Sequence, residues 1–370
     1  MTGEELVQKV REASAHRQRV IEAVCGACEN KCCKQMTMMG GQDLRRLLRE
    51  MLMSSEFEQR VRGGLRRVAD RLEADLRAVQ QVTELLSAAH GTGASADLAA
   101  LRANVEDWAA FVAWLRSDYD LRLEELRRLL VFSAIRSNTL NALGRFRGGL
   151  GALVNLSGRE GTFRFHGRRI APPPCLFYLD DIGCICEEAK PAKCANFFCA
   201  GVPNLLAELR RTLSFDEFVL ANFTATSLAR VIATLRLERK LGQEFIDPMI
   251  VVGVSDADVE AIAGAMGRAG ESVRLKRVDR PGMRSAAEVE QELAAIPERT
   301  GLVEVYPAID GNTLYELALA LDRIRLRDEH PSFVLLAREL VATPVAHPLW
   351  DDQMMAQPLG ALDLFVLEPQ

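Results

Sequence analysis

Nine cysteines are the side chains best able to do chemistry in this chain, and they are not scattered. Four lie between Cys25 and Cys33, and five between Cys175 and Cys199. The spacings are Cys25-x2-Cys28-x3-Cys32-Cys33, then Cys175-x8-Cys184-x-Cys186-x7-Cys194-x4-Cys199. A C-x2-C pair lets two thiolates reach one ion from a single tight turn, which suits Zn²⁺ or iron. Adjacent side chains on an extended segment point in opposite directions, so Cys32 and Cys33 cannot easily serve the same ion. Eight or nine thiolates also exceed the four that a tetrahedral centre takes. The pattern predicts a two-metal or polynuclear site closed by both groups. A lone cysteine would read as a small buried hydrophobe, but nine in two groups would not.

Thiolates concentrate negative charge, and Lys31, Lys34, Lys190 and Lys193 flank them. The chain has seven lysines among its 46 basic residues, so this grouping stands out, although solvated loop lysines explain it equally well. Asp180 and Asp181 lie between Cys175 and Cys184; they read as solvated loop residues before they read as oxygen ligands. None of His16, His90, His166, His330 and His347 falls inside a cysteine group, and His166 is the nearest candidate in sequence. Tyr306, Asp310 and Asn312 follow a C-terminal strand pattern, where α/β proteins often bind ligands. MIVVGVSDADVE carries no G-x-G-x-x-G, and no Gly-x4-Gly-Lys-Ser/Thr occurs, which argues against those nucleotide-binding turns.

Several elements must position the cysteines. Residues 4–24 read as a short amphipathic helix that runs into the first group. Residues 42–89 and 98–130 place apolar residues every three or four positions, from Phe57 to Leu86 and from Leu98 to Leu130. HGTGASAD separates the two, so they read as an antiparallel helical hairpin whose stripe is packing surface. Glycine-rich sequence and TFRFHGRRI, one or two short strands, lead to the second group. Residues 203–241 return to helix, with Ser214 and Glu217 as a capping box.

From about residue 245 strands alternate with helices: MIVVGVS, SVRLKRV, GLVEVYPAI, SFVLLARE and DLFVLEP, with helices over 256–268, 285–296 and 312–327. That alternation predicts a mostly parallel sheet covered by helices. The expected organisation is multidomain, α and α/β. Residues 1–240 form a helical cysteine-rich metal-binding domain with the hairpin over 42–145 inserted in it, and 245–370 form an α/β domain.

With 370 residues, 48% hydrophobic and 26% charged, the chain has the composition of a folded protein of two or three domains. A net charge of -5 removes the usual electrostatic reason to expect nucleic-acid binding. No apolar run reaches about 18 residues, and the first twenty residues are charged throughout, so neither a membrane partner nor an export signal is expected. The default compartment is the reducing cytoplasm, where clustered cysteines hold metal or do redox work more often than they form disulfides.

CGACENKCC followed by PPCLFYLDDIGCICEEAKPAKCANFFC resembles the YkgJ-type zinc- or iron-chelating proteins, the CxxCxxxCC family. Cys175-Leu176-Phe177-Tyr178-Leu179 matches one element of that pattern and Gly183-Cys184 another. Pro191 and Cys194 stand at the family offsets after Cys184. Lys190 replaces the usual Arg, Pro174 precedes its cysteine where the family has a proline after it, and Cys186 takes a position that is apolar in the pattern. The resemblance covers about residues 20–35 and 170–200, and it implies metal chelation.

The resulting ligand set is Cys25, Cys28, Cys32, Cys33, Cys175, Cys184, Cys194 and Cys199, with Cys186 outside it. The cofactor expected is zinc or iron, as two ions or as an iron–sulfur cluster. Two other readings compete with a metal-binding protein. One is an iron–sulfur-dependent protein-modifying enzyme, akin to the flagellin lysine methylases that carry related cysteine motifs. The other is a partner-docking protein, with the hairpin as the arm that meets a protein partner and the metal purely structural.

Overall fold

The computed structural model describes residues 2–27, 39–90, 96–145, 154–157, 162–165, 168–170, 175–190, 194, 205–242, 246–267, 272–278, 285–297, 300–325, 330–351 and 357–369. The chain forms two compact units: Met1–Glu29 with Ala192–Gln370, and Asn30–Pro191. The chain passes from one unit to the other inside the first cysteine group and returns inside the second.

The Asn30–Pro191 unit is mainly helical. Its helices are α2 (Gly41–Met53), α3 (Ser55–His90), α4 (Ala96–Arg116), a single turn α5 (Leu123–Leu126) and α6 (Arg128–Arg145). α3 packs on α4 and α4 on α6, so the expected hairpin is present with a third helix against it. Val61, Leu65, Val68, Leu72, Val79, Val82 and Leu86 line the buried stripe of α3. Across from it Trp108 is fully buried, edge-on to Phe132, which stacks on Phe111 at 4.1 Å between ring centroids.

The two long helices read from the sequence are each interrupted. Ser54 leaves helical geometry while its N–H still donates to Glu50 O, and its hydroxyl accepts from Phe57 N, so one residue ends α2 and caps α3. Ser117 turns its hydroxyl onto Trp114 O at the end of α4, and Tyr119 then packs on the Trp114 ring. Beyond α6 come β1 (Val154–Ser157), β2 (Thr162–Phe165) and β3 (Arg168–Ile170), an antiparallel sheet that includes the expected TFRFHGRRI strands. A small hairpin of β4 (Tyr178–Leu179) and β5 (Gly183–Cys184) follows.

The other unit is α/β. After α1 (Gly3–Ala27), α7 (Leu205–Thr212) and α8 (Phe215–Leu220) come β6 (Thr224–Thr226), α9 (Leu228–Gly242), β7 (Met249–Val252), α10 (Asp256–Met266) and β8 (Val273–Arg277). Then follow α11 (Ala286–Ala294), β9 (Gly301–Ile309), α12 (Gly311–Arg325), β10 (Phe333–Leu340), α13 (Gln357–Ala361) and β11 (Asp363–Leu367). The strands form one sheet in the order β6-β11-β7-β10-β9-β8, with parallel pairing throughout. Alternate residues serve opposite faces. Ile250, Val252, Leu335 and Leu364 join the core under α11 and α12, while Met249, Val251, Leu336 and Phe365 join the core under α9 and α10. Burial on both faces explains why these strands read as continuous apolar runs.

The divide read from the sequence at 240–245 is not where these units part. β6 pairs with β11 through Thr224↔Phe365, and α1 buries Leu6, Val7 and Val10 in the same core as Phe218, Leu335 and Leu364. β6 itself lies within the 203–241 stretch read as helix. It is a three-residue edge strand of Thr, Ala and Thr with no apolar run to announce it. No described helix is long and apolar enough to cross a membrane.

Candidate metal centre

The second cysteine group is built onto α3. Tyr178↔Cys184 and Leu179↔Gly183 pair across a turn of Asp180, Asp181 and Ile182, and Gly183 closes it at φ 78°, a conformation that suits glycine. The hairpin continues as Ile185 N–H donates to Phe177 O at 2.8 Å, and Ala189 N–H to Cys186 O at 3.0 Å. Leu176, Phe177, Tyr178, Leu179 and Ile185 are all buried, which anchors a hairpin too short to be stable alone.

Four positions on one side of α3 receive it. Arg60 pairs with Glu188, Arg67 with Asp181 at 2.8 Å, and the Arg71 guanidinium donates to Tyr178 O at 3.3 Å. Gly64 sits among them. A Cβ there would lie 2.6 Å from Ile185 Cδ1, so only glycine leaves room for the Ile185 side chain.

β5 ends at Cys184 and the chain turns through Ile185 and Cys186. Ile185 packs onto α3 at Gly64, and the Sγ atoms of the two cysteines that flank it lie 3.5 Å apart. Cys186 is fully buried and Cys184 partly so. The hydrogen bond with Cys186 holds the Cys184 thiol below its ordinary pKa, helped by Lys190 and opposed by burial and Glu187. Burial pushes the Arg71 guanidinium below its ordinary value, while Asp180, Asp75 and Cys175 nearby push it back up.

The expected ligands separate as follows. Cys175 is buried, Cys184 and Cys194 are half-buried, and Cys25 belongs to the last turn of α1, which extends past the expected end at residue 24. Cys28, Cys32, Cys33 and Cys199 lie outside the described residues, as do Lys31, Lys34, Lys193 and His166. Among the described residues, no three Cys, His, Asp or Glu side chains gather as a metal-ligand set. The soft pair Cys184–Cys186 fits zinc or iron by donor type and separation. Asp181 is engaged by Arg67, and Lys190 by Glu187 at 2.8 Å. The C-x-C spacing was the sequence signal for the pair: it keeps the two sulfurs within one short stretch of chain.

The strand ends of the α/β unit have a different character. Tyr306 does not follow its strand; it lies inside β9, buried, with its hydroxyl donating to Glu304 at 2.8 Å. Asp310 caps α12 by accepting from Thr313 N at 2.8 Å, and Asn312 donates to Val345 O at 2.8 Å. Thr343 joins β10's exit to Asp216 and accepts from Gly311 N at 2.9 Å. Asp256, after β7, pairs with Arg277 and Arg338. These groups tie loops and caps to one another. No family model matches the chain, and neither a curated protein nor a solved structure does.

Proposed function

We propose that this is a metal-binding protein that coordinates zinc or iron, as two ions or an iron–sulfur cluster, through its two cysteine groups. The ligands are Cys25, Cys28, Cys32, Cys33, Cys175, Cys184, Cys194 and Cys199. The observation that carries the reading is the confinement of all nine cysteines to two short runs in a chain of 370 residues. Their likeness to the YkgJ-type pattern supports it, as does the hairpin that brings Cys184 within reach of a second thiol. Metal ligation contributes to folding free energy, because the unfolded chain has no preformed site.

The test is purification without oxygen, followed by metal analysis and a visible spectrum. Stoichiometric zinc or iron in the parent, lost in Cys32→Ser and Cys194→Ser, supports the reading; unchanged metal content in both variants refutes it. A brown protein with acid-labile sulfide would favour the iron–sulfur-dependent modifying enzyme, and a colourless zinc protein would count against it.

A further inference from the structure

We propose that Cys184 and Cys186 chelate the same ion, which makes Cys186 a ligand although the resemblance leaves it out. This rests on the metal-binding reading above and specifies part of its coordination. Two thiolates each about 2.3 Å from a tetrahedral ion lie about 3.8 Å apart. The Sγ atoms of Cys184 and Cys186 are 3.5 Å apart, so closing on one ion asks for a shift of a few tenths of an ångström.

The pair is also held in place before any ion arrives. Ile185 between the two cysteines is buried against Gly64, whose missing side chain leaves its space. The hairpin hydrogen bond from Ile185 N–H to Phe177 O fixes the backbone on one side, and the turn from Ala189 N–H to Cys186 O fixes it on the other. Preorganised donors of this kind lose little freedom on binding. A fully buried Cys186 serving only as packing would need no second thiol at this distance and on the same side.

The experiment uses the full chain, prepared without oxygen and loaded with Co²⁺ or Zn²⁺. X-ray absorption at the metal edge counts sulfur neighbours, and titration against a chelator gives affinity. Cys184→Ser and Cys186→Ser should each remove one sulfur from an ion and weaken its binding at least tenfold. Cys186→Ala keeps the site apolar and guards against simple misfolding. It should retain the circular dichroism of the parent while showing the same loss of sulfur and affinity. If Cys186→Ala and Cys186→Ser keep the parental sulfur count and affinity while Cys184→Ser does not, Cys186 is packing only; this inference falls and the wider reading stands. If the parent chain takes up neither ion and also purifies without iron, both fall.

Discussion

The cysteine hairpin and the parallel sheet are stabilised in opposite ways. In the sheet, β7, β10 and β11 are buried on both faces between helices, and their apolar side chains suffice to hold them. The hairpin has strands of two residues and reaches its place by docking: one isoleucine in a glycine gap, and three arginines of α3 meeting Glu188, Asp181 and a backbone carbonyl. At the strand ends of the sheet, Asp310, Thr343 and Asp256 bond to neighbouring loops and caps, whereas the hairpin places two sulfurs side by side. The region with the smaller core of its own is the one that the proposed metal would crosslink.

Metal removal should break this comparison most sharply. Stripping the ion with a chelator should speed hydrogen exchange at Tyr178 and Ile185 at least tenfold and leave the amides of β7 and β10 as they were. Equal loss of protection in the sheet would mean the two regions do not differ as described. Next in size is core truncation. Trp108→Ala should cost the helical unit about 3–5 kcal/mol. Denaturant unfolding followed by probes in each unit should show the loss there, with β10 retaining its protection.

Gly64→Ala should cost about 1–3 kcal/mol by overpacking Ile185, and it should also weaken metal binding. Ile185→Val in the same chain should recover part of both losses, because the two residues compete for one space. The smallest effect belongs to the other unit. Ser214 accepts from Glu217 N, and the Glu217 carboxylate accepts from Ser214 N at 2.7 Å, so Ser214→Ala should cost about 1 kcal/mol and leave metal content unchanged. Altered metal content in that variant would contradict the division of labour drawn here.

Much of the α/β architecture was legible because burial on both faces writes itself as short apolar runs. GLVEVYPAI became β9 residue for residue, and SVRLKRV and DLFVLEP became β8 and β11 within one or two positions. The Ser214–Glu217 box was legible because capping is local. What escaped depends on distant partners. Thr224–Thr226 is a strand because β11 lies beside it, and α1 belongs to the sheet's unit because its apolar face meets Phe218 and Leu364. At the candidate centre, the clustering of cysteines was plain, but the closeness of Cys184 to Cys186 follows from Ile185 turning onto Gly64, more than a hundred residues away in sequence.

The most direct measurement is residue-resolved thiol labelling of the native chain, kept free of oxygen, before and after the metal is stripped, read by mass spectrometry. Cys184 and Cys194 are the informative sites, because both are partly exposed and so open to reagent unless an ion holds them. The account predicts that both are protected in the native protein and label at least tenfold faster once it is stripped. Equal labelling in the two states, at both residues, would contradict it.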